Sequence, residues 1–385
     1  MTDGWLHDPV ESGVKAGLGL YLHVPFCAHR CGYCDFATYA DRDHLIKSYV
    51  AGLHTELQRV ASVHDGRAIT SVFVGGGTPT ILEHDDLAGV MRRIASEFDI
   101  VEGAEVTVEC NPETASVDLF GALVDAGVNR ISMGAQSFAP HILKMLERGH
   151  DQDRPASAVE QAREAGIAEV NLDLIYGTPG ERPEDWETSL RRALEIGTDH
   201  VSAYALTIHD NTSFGRKVNA GTMLSPDEDV QADRFAIAGD ILGGAGFEHY
   251  ELSNWARTPA LRSDHNILYW RHGDYLAIGV GAHGHDDGHR WWAPRGIERW
   301  LEDVEAGRPS IAGQENLGPD ERAIERLLLG LRLADGVHAK DLPPIAQEAM
   351  QDAVDAGLVT TNCGRLQCTS DKGWFLLDEA VRRLL

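Results

Sequence analysis

Three of the six cysteines in the chain, Cys27, Cys31 and Cys34, stand at the spacing C-x3-C-x2-C. They follow Leu20-Tyr21-Leu22-His23-Val24, a short apolar run that reads as a strand, so the thiols fall on the loop after it. Three thiolates can hold three irons of a cubane cluster and leave the fourth iron to an outside ligand. A structural zinc site needs four ligands, usually as two separated pairs. His23 or His29 could serve as a fourth, but without a second pair the frame is poor. A disulfide plus a spare thiol fits less well still: residues 1–19 carry Asp3, Asp8 and Glu11 without an apolar core and do not read as a secretory signal.

The run Gly75-Gly76-Gly77-Thr78-Pro79 follows a β-branched segment, 69–74. Glycines there let the backbone approach a ligand closely and offer it N–H and C=O groups, although a glycine triplet alone is more often a plain loop. Glu109, Gln136, Arg148 and Asp173 are individually ordinary, and a lone carboxylate at a strand end is usually a cap or a surface group. His265 opens the segment His265-Asn266-Ile267-Leu268-Tyr269-Trp270, where a packed or hydrogen-bonded histidine is the common outcome. His283, His285 and His289 lie in a glycine-rich stretch that reads as a polar loop before it reads as a metal site. Cys110, Cys363 and Cys368 read as packing residues.

The elements that must hold these residues alternate. Helical spacing over 43–63, 84–98, 117–126, 155–165 and 183–196 separates strands at 69–74, 105–109, 130–134, 169–175 and 200–206. With the first strand, this predicts an α/β fold of six parallel strands over 19–206, a partial (β/α)6 barrel, with an open Rossmann-like sheet as the alternative. The cysteine loop, the glycine run, Glu109, Gln136 and Gly177-Thr178-Pro179 all fall at C-terminal strand ends, the rim where such folds bind ligands. Residues 207–306, with a helix at 226–242 and an aromatic-rich stretch from 247 to 292, read as strands and loops completing the barrel mouth. Residues 1–18 read as a tail, 307–318 as a linker, and 319–385 as a small domain of winged-helix-like order.

A formal charge of −26 argues against nucleic acid, whose phosphates call for Lys and Arg. The 43% hydrophobic and 24% charged fractions are those of a soluble globular chain. With no apolar run long enough to span a bilayer, the expected location is the cytoplasm.

Taken with the glycine run, Tyr-x-His-x-Pro-Phe-Cys and the three-cysteine loop resemble the radical S-adenosylmethionine (SAM) superfamily, in its coproporphyrinogen dehydrogenase-like branch. The resemblance implies a [4Fe-4S] cluster on Cys27, Cys31 and Cys34, and SAM held by Tyr21, Gly76, Gly77, Thr78, Glu109, Gln136, Arg148 and Asp173. The glycines would take its amino group, Glu109 and Asp173 the ribose hydroxyls or nearby groups, and Gln136 and Arg148 the methionyl or sugar side. It implies reductive cleavage of SAM, and a reductant such as a flavodoxin or ferredoxin. H-N-x-x-Y-W is the signature of the haem-chaperone members of this branch, which makes His265 the expected haem ligand and an acceptor protein the expected partner. Two departures separate the chain from the porphyrinogen-oxidising members. Phe36 stands where they carry a further cysteine, and only 26 residues precede Cys27. His283 matches a branch position whose usual following serine is Gly284 here. The expectation is therefore a haem-binding chaperone. The alternatives are an oxygen-independent coproporphyrinogen III dehydrogenase and a methyltransferase of the same branch.

Overall fold

The computed structural model describes residues 17–369 and 372–385. Strands β1 (Leu18–Val24), β2 (Ile69–Gly76), β3 (Ile100–Cys110), β4 (Arg130–Gln136), β5 (Glu169–Tyr176) and β6 (His200–Ala205) form a parallel sheet in which each lies beside its successor. A Rossmann-like sheet reverses its order part-way; this one never does, so it curls one way as a partial barrel. Helices α1 (Ile46–Val63), α2 (His84–Glu97), α3 (Val117–Asp125), α4 (Pro140–Met145), α5 (Arg154–Glu164) and α6 (Pro183–Ile196) fill the connections. The short α4 was not expected from the sequence.

Alternation across the pleat sorts the side chains. Leu20, Leu22, Val72, Val74, Val108 and Ile131 turn outward and are buried in one core with the helices. On the other face Tyr21 stands level with Phe73, Phe73 with Thr107, and Glu109 with Ser132, Asn171 and His200. The lumen is therefore polar and can hold chemistry.

Both ends of the parallel sheet continue. After α7 (Ser213–Asn219) and α8 (Glu228–Gly244) come strands β7 (Glu248–Glu251) and β8 (Asn254–Ala256); β8 adds antiparallel to β6, and β7 antiparallel to β8. Helix α9 (Asp264–Trp270) packs against β2, and β9 (Asp274–Ile278) then pairs parallel with β1. Strands β10 (His283–Asp286), β11 (His289–Trp292) and, after α10 (Ile297–Glu305), β12 (Gly313–Asn316) extend that side antiparallel.

Two expectations are corrected here. The H-N-x-x-Y-W segment is helical, its N-terminus capped by the Ser263 hydroxyl accepting from the Asn266 N–H at 3.4 Å. Residues 307–318 are not a bare linker, because β12 completes the sheet edge. Gly313 suits that place, since a Cβ there would lie 2.3 Å from the Trp292 ring.

The remaining elements are α11 (Pro319–Gly330), β13 (Val337–His338), α12 (Pro344–Asp355), β14 (Val359–Asn362), β15 (Arg365–Cys368) and α13 (Leu377–Leu384), a winged-helix order. Cys363 and Gly364 turn the β14–β15 hairpin at φ 48° and 75°. Leu327, Leu331 and Trp374 belong to the barrel's core cluster. His249 stacks on Trp255 and meets Trp374 edge-on, with ring centroids at 4.0 and 3.9 Å. Residues 332–334 also pair with the end of β7: Leu252 N–H donates to Arg332 O, and Ala334 N–H to Tyr250 O, both at 2.9 Å. Residues 1–16 of the expected tail and Ser370 and Asp371 of the expected winged-helix-like domain lie outside the described residues, while Leu18 opens β1. Among the described residues no helix is long and apolar enough to cross a membrane.

Candidate functional site

The C-terminal rim gathers the cysteine loop and the glycine turn. Cys27 N–H donates to Tyr39 O at 2.9 Å, Tyr39 N–H to Pro25 O at 2.7 Å, and Cys34 N–H to Cys31 O at 3.1 Å, closing the loop on itself. The turn after β2 lies against it, with Gly77 N–H on Val24 O and Thr78 N–H on Phe26 O, both at 2.8 Å. A Cβ at Gly77 would fall 2.6 Å from Phe26 O and 3.0 Å from Cys27 Sγ; at Gly76, where φ is 114°, it would strike the His23 ring at 2.4 Å. Both positions need glycine because the backbone passes so close.

Cys27, Cys31 and Cys34 are free and half-buried. Burial pushes the Cys27 thiol up to about 11, against the pull of the Thr78 hydroxyl, which donates to its sulfur at 3.8 Å. Among the described residues no three His, Cys, Asp or Glu converge as they would on a single ion. Thiols spread around a loop suit a cubane, whose corners take one ligand each, better than one zinc.

An arc of hydrogen bonds joins two of these thiols. Thr78 Oγ1 contacts Cys27 Sγ and accepts from Asn111 Nδ2 at 3.0 Å. Asn111 Oδ1 accepts from Arg148 at 2.7 Å, and the same guanidinium donates to Gly134 O at 3.0 Å and to Cys31 Sγ at 3.7 Å. Asn111 is the member that sequence reasoning missed. Its only signal was its place in Glu109-Cys110-Asn111-Pro112, directly after β3.

The other candidates face the lumen below. Glu109 accepts from Gly76 N–H at 2.9 Å, and burial together with the nearby Asp173 charge raises its carboxyl to about 7. Asp173 accepts from Ser132 Oγ at 3.0 Å and Asn171 Nδ2 at 2.8 Å; burial raises its pKa despite both bonds. The Tyr21 hydroxyl bonds His23 Nδ1 at 2.8 Å, and His23 Nε2 meets Ala37 O at 3.0 Å, tying the lumen to the cysteine loop. Gln136 sits at φ 62°, a conformation rare for a residue with a side chain, where the β4–β5 register shifts. Two buried polar atoms of the rim, Arg148 Nε and Thr178 Oγ1, have no protein partner. Orphaned polar atoms on this rim are what a polar ligand such as SAM would complete.

His265, the expected haem ligand, lies elsewhere. It is fully buried in α9, with Nδ1 on Ser71 Oγ at 2.9 Å and Nε2 on Tyr269 Oη at 2.8 Å. Its ring lies over Phe73 at 5.3 Å, and burial pushes its pKa down to about 3. Both nitrogens are engaged, so iron could reach one only by displacing the hydroxyl of Ser71 or Tyr269.

The profile of the Radical SAM superfamily matches residues 21–193. Over 370 residues the chain is 39% identical to the haem chaperone HemW of Mycobacterium tuberculosis (strain ATCC 25618 / H37Rv), covering 95% of this chain and 94% of that protein. The chain belongs to the HemW family. A second HemW, from Lactococcus lactis subsp. lactis, is 34% identical over 373 residues, with 95% and 96% covered. Among solved structures, the radical SAM enzyme coproporphyrinogen III oxidase (HemN) of Escherichia coli superposes with TM-score 0.83, covering 96% of this chain and 90% of that one. At 23% identity that likeness shows the shared fold alone. The HemW relationship runs through the cysteine loop, the glycine turn and the C-terminal unit alike, so the fold is common to the family over nearly its whole length.

Proposed function

We propose that the chain is a haem-carrying chaperone whose rim holds a [4Fe-4S] cluster on Cys27, Cys31 and Cys34 with SAM beside it. The observation that carries this is the near full-length identity to proteins named as haem chaperones. When bound, cluster and SAM together supply one-electron reductive chemistry. The protein's own groups hold and orient. The carbonyls of Gly76 and Gly77, whose N–H groups already go to Glu109 and Val24, would accept from an amino group, next to Thr78. Glu109 and Asp173 would accept from ribose hydroxyls, with Tyr21 on β1, beyond β2. Hydroxyls donating to Glu109 favour its ionised form and so lower the pKa that burial has raised. Arg148, held by Asn111 and Gly134, offers its unpaired Nε–H to an acceptor, with Gln136 on the same side.

This reading brings an acceptor protein for haem, a reductant of the flavodoxin or ferredoxin kind, and a cytoplasmic setting suited to oxygen-sensitive thiols. The oxidase alternative has only fold likeness behind it, and Phe36, 66% exposed, stands where it calls for a cysteine. The deciding experiment gives anaerobically reconstituted protein hemin and an apo-haem acceptor, and in a separate vessel coproporphyrinogen III, SAM and reductant. Hemin binding and transfer, with the porphyrinogen unchanged, is expected. Catalytic conversion to protoporphyrinogen IX would replace this function with the enzymatic one.

A further inference from the structure

A haem-ligating histidine needs a ring nitrogen that is not already bonded and room for a porphyrin. His265 has neither, and His23 at the rim is 4% exposed with both nitrogens engaged. His283, the first residue of β10, is different. It lies just past the C-terminal end of β9, hence on the same rim as the cysteine loop, and its side chain is exposed. Its ring is stacked on Trp292 with centroids 6.0 Å apart and planes 22° from parallel, and neither nitrogen has a hydrogen-bond partner among the described residues.

The surroundings suit the rest of the molecule. Haem carries two propionates, and a chain of net charge −26 needs local cations to receive them. Arg295 is exposed and held by the Asp35 carbonyl at 2.5 Å; Arg30 is exposed and held by the carbonyls of Cys34 and Phe36 at 3.4 Å. Neither guanidinium is paired with a carboxylate among the described residues. Phe36, whose own carbonyl and that of Asp35 take these guanidinium bonds, is 66% exposed, an apolar side chain next to the cysteine loop. His283 belongs to the same surface: Gly281, two residues before it, comes so close to the loop that a Cβ would lie 2.7 Å from the Ala37 methyl. Arg295 also sits within the electrostatic reach of His283, and burial together with that charge keeps the imidazole below its usual pKa, in the neutral form that binds iron.

We infer that His283 is the axial ligand for haem iron, with Arg295 and Arg30 receiving the propionates and Phe36 the porphyrin edge. This rests on the haem-carrying reading above. The iron–nitrogen bond lies in the imidazole plane, so a porphyrin stands across that ring. Trp292, being parallel to it, props the ligand and does not stack on the haem.

The test is a hemin titration of the full-length protein followed by its Soret band. In His283→Ala the histidine-type band should be lost and the hemin Kd should rise by about ten-fold or more, with iron content and SAM affinity unchanged. His265→Ala should keep the band. Arg30→Ala combined with Arg295→Ala should weaken hemin but not hemin dimethyl ester, whose carboxylates are blocked. A His283→Ala protein with wild-type band and affinity overturns the inference alone, as does loss of the band only in His265→Ala. Wild-type protein that binds no hemin at all removes the haem-carrying reading together with it.

Discussion

Arg148 can donate hydrogen bonds but never accept one, and that asymmetry propagates. It obliges Asn111 to turn its oxygen to the guanidinium and its amide N–H to Thr78, which leaves the Thr78 hydroxyl hydrogen for Cys27 Sγ. Asn111→Asp keeps an acceptor for Arg148 but loses the donor, so Thr78 would turn its hydroxyl to the new carboxylate. Because hydrogen bonds to cluster sulfurs help set the potential, the variant should reconstitute normal iron and show a more negative midpoint. Asn111→Ala offers Thr78 no competing acceptor, so it should leave the Thr78 bond to Cys27 and shift the midpoint less than Asn111→Asp. Redox titration of both decides it, and two unchanged potentials would mean that the arc does not act on the cluster. Glu109 gives a second prediction. Its carboxyl lies near 7 when folded against an ordinary 4.5, so its contribution to stability is complete below pH 4.5 and lost as pH rises through 7. Glu109→Gln has nothing to ionise. Without SAM it should match wild type in acid and exceed it above neutrality by on the order of 1–3 kcal/mol, read from urea unfolding at several pH values. The same variant should bind SAM more weakly.

Helix α9 shows where an element's role departs from its sequence pattern. Its aromatic residues favour strands, and nothing local announces that Ser263 caps a helix or that Ser71, about 190 positions earlier, waits for His265. The parallel strands were legible because runs such as Ile69–Val74 alternate with amphipathic helices, and pleat plus register then places Tyr21, Glu109 and Asp173 on the lumen face. The pairing of β9 with β1 was not legible, since a partner so distant leaves no mark on local composition. The cysteines and glycines could be read because their spacing is itself the chemistry. Asn111 could not, because its function depends on two residues on other loops. For α9 the structure predicts that His265→Ala strips the hydroxyls of Ser71 and Tyr269 of their shared partner and costs about 1–3 kcal/mol. Thermal unfolding should show that loss while iron content stays at the wild-type level. A protein that is equally stable would contradict the sealed floor.

At the scale of the molecule, the C-terminal unit is continuous with the barrel. Trp374 closes over His249, Leu327 and Leu331 enter the barrel's core, and residues 332–334 cover the otherwise open edge of β7. An uncovered strand edge next to apolar surface is an aggregation site. Removing residues 319–385 should therefore give insoluble or protease-sensitive protein, and the intact chain should unfold in one transition. A soluble, protease-resistant 1–318 fragment would show that the two units are independent.

The strand that begins the fold is completed by residues made much later. β1 receives β2 early, but its other neighbour is β9, which ends at Ile278. On the ribosome, the strand leading into the cysteine loop therefore keeps one bare edge until most of the chain has been synthesised. His283 and Arg295, which flank that loop in the finished protein, emerge only after that. Iron supplied during synthesis would meet the three thiols before the wall beside them exists, whereas haem would find its proposed ligand only once the wall is in place. The order of the sequence thus leaves the thiols available to iron before the proposed haem ligand has been made.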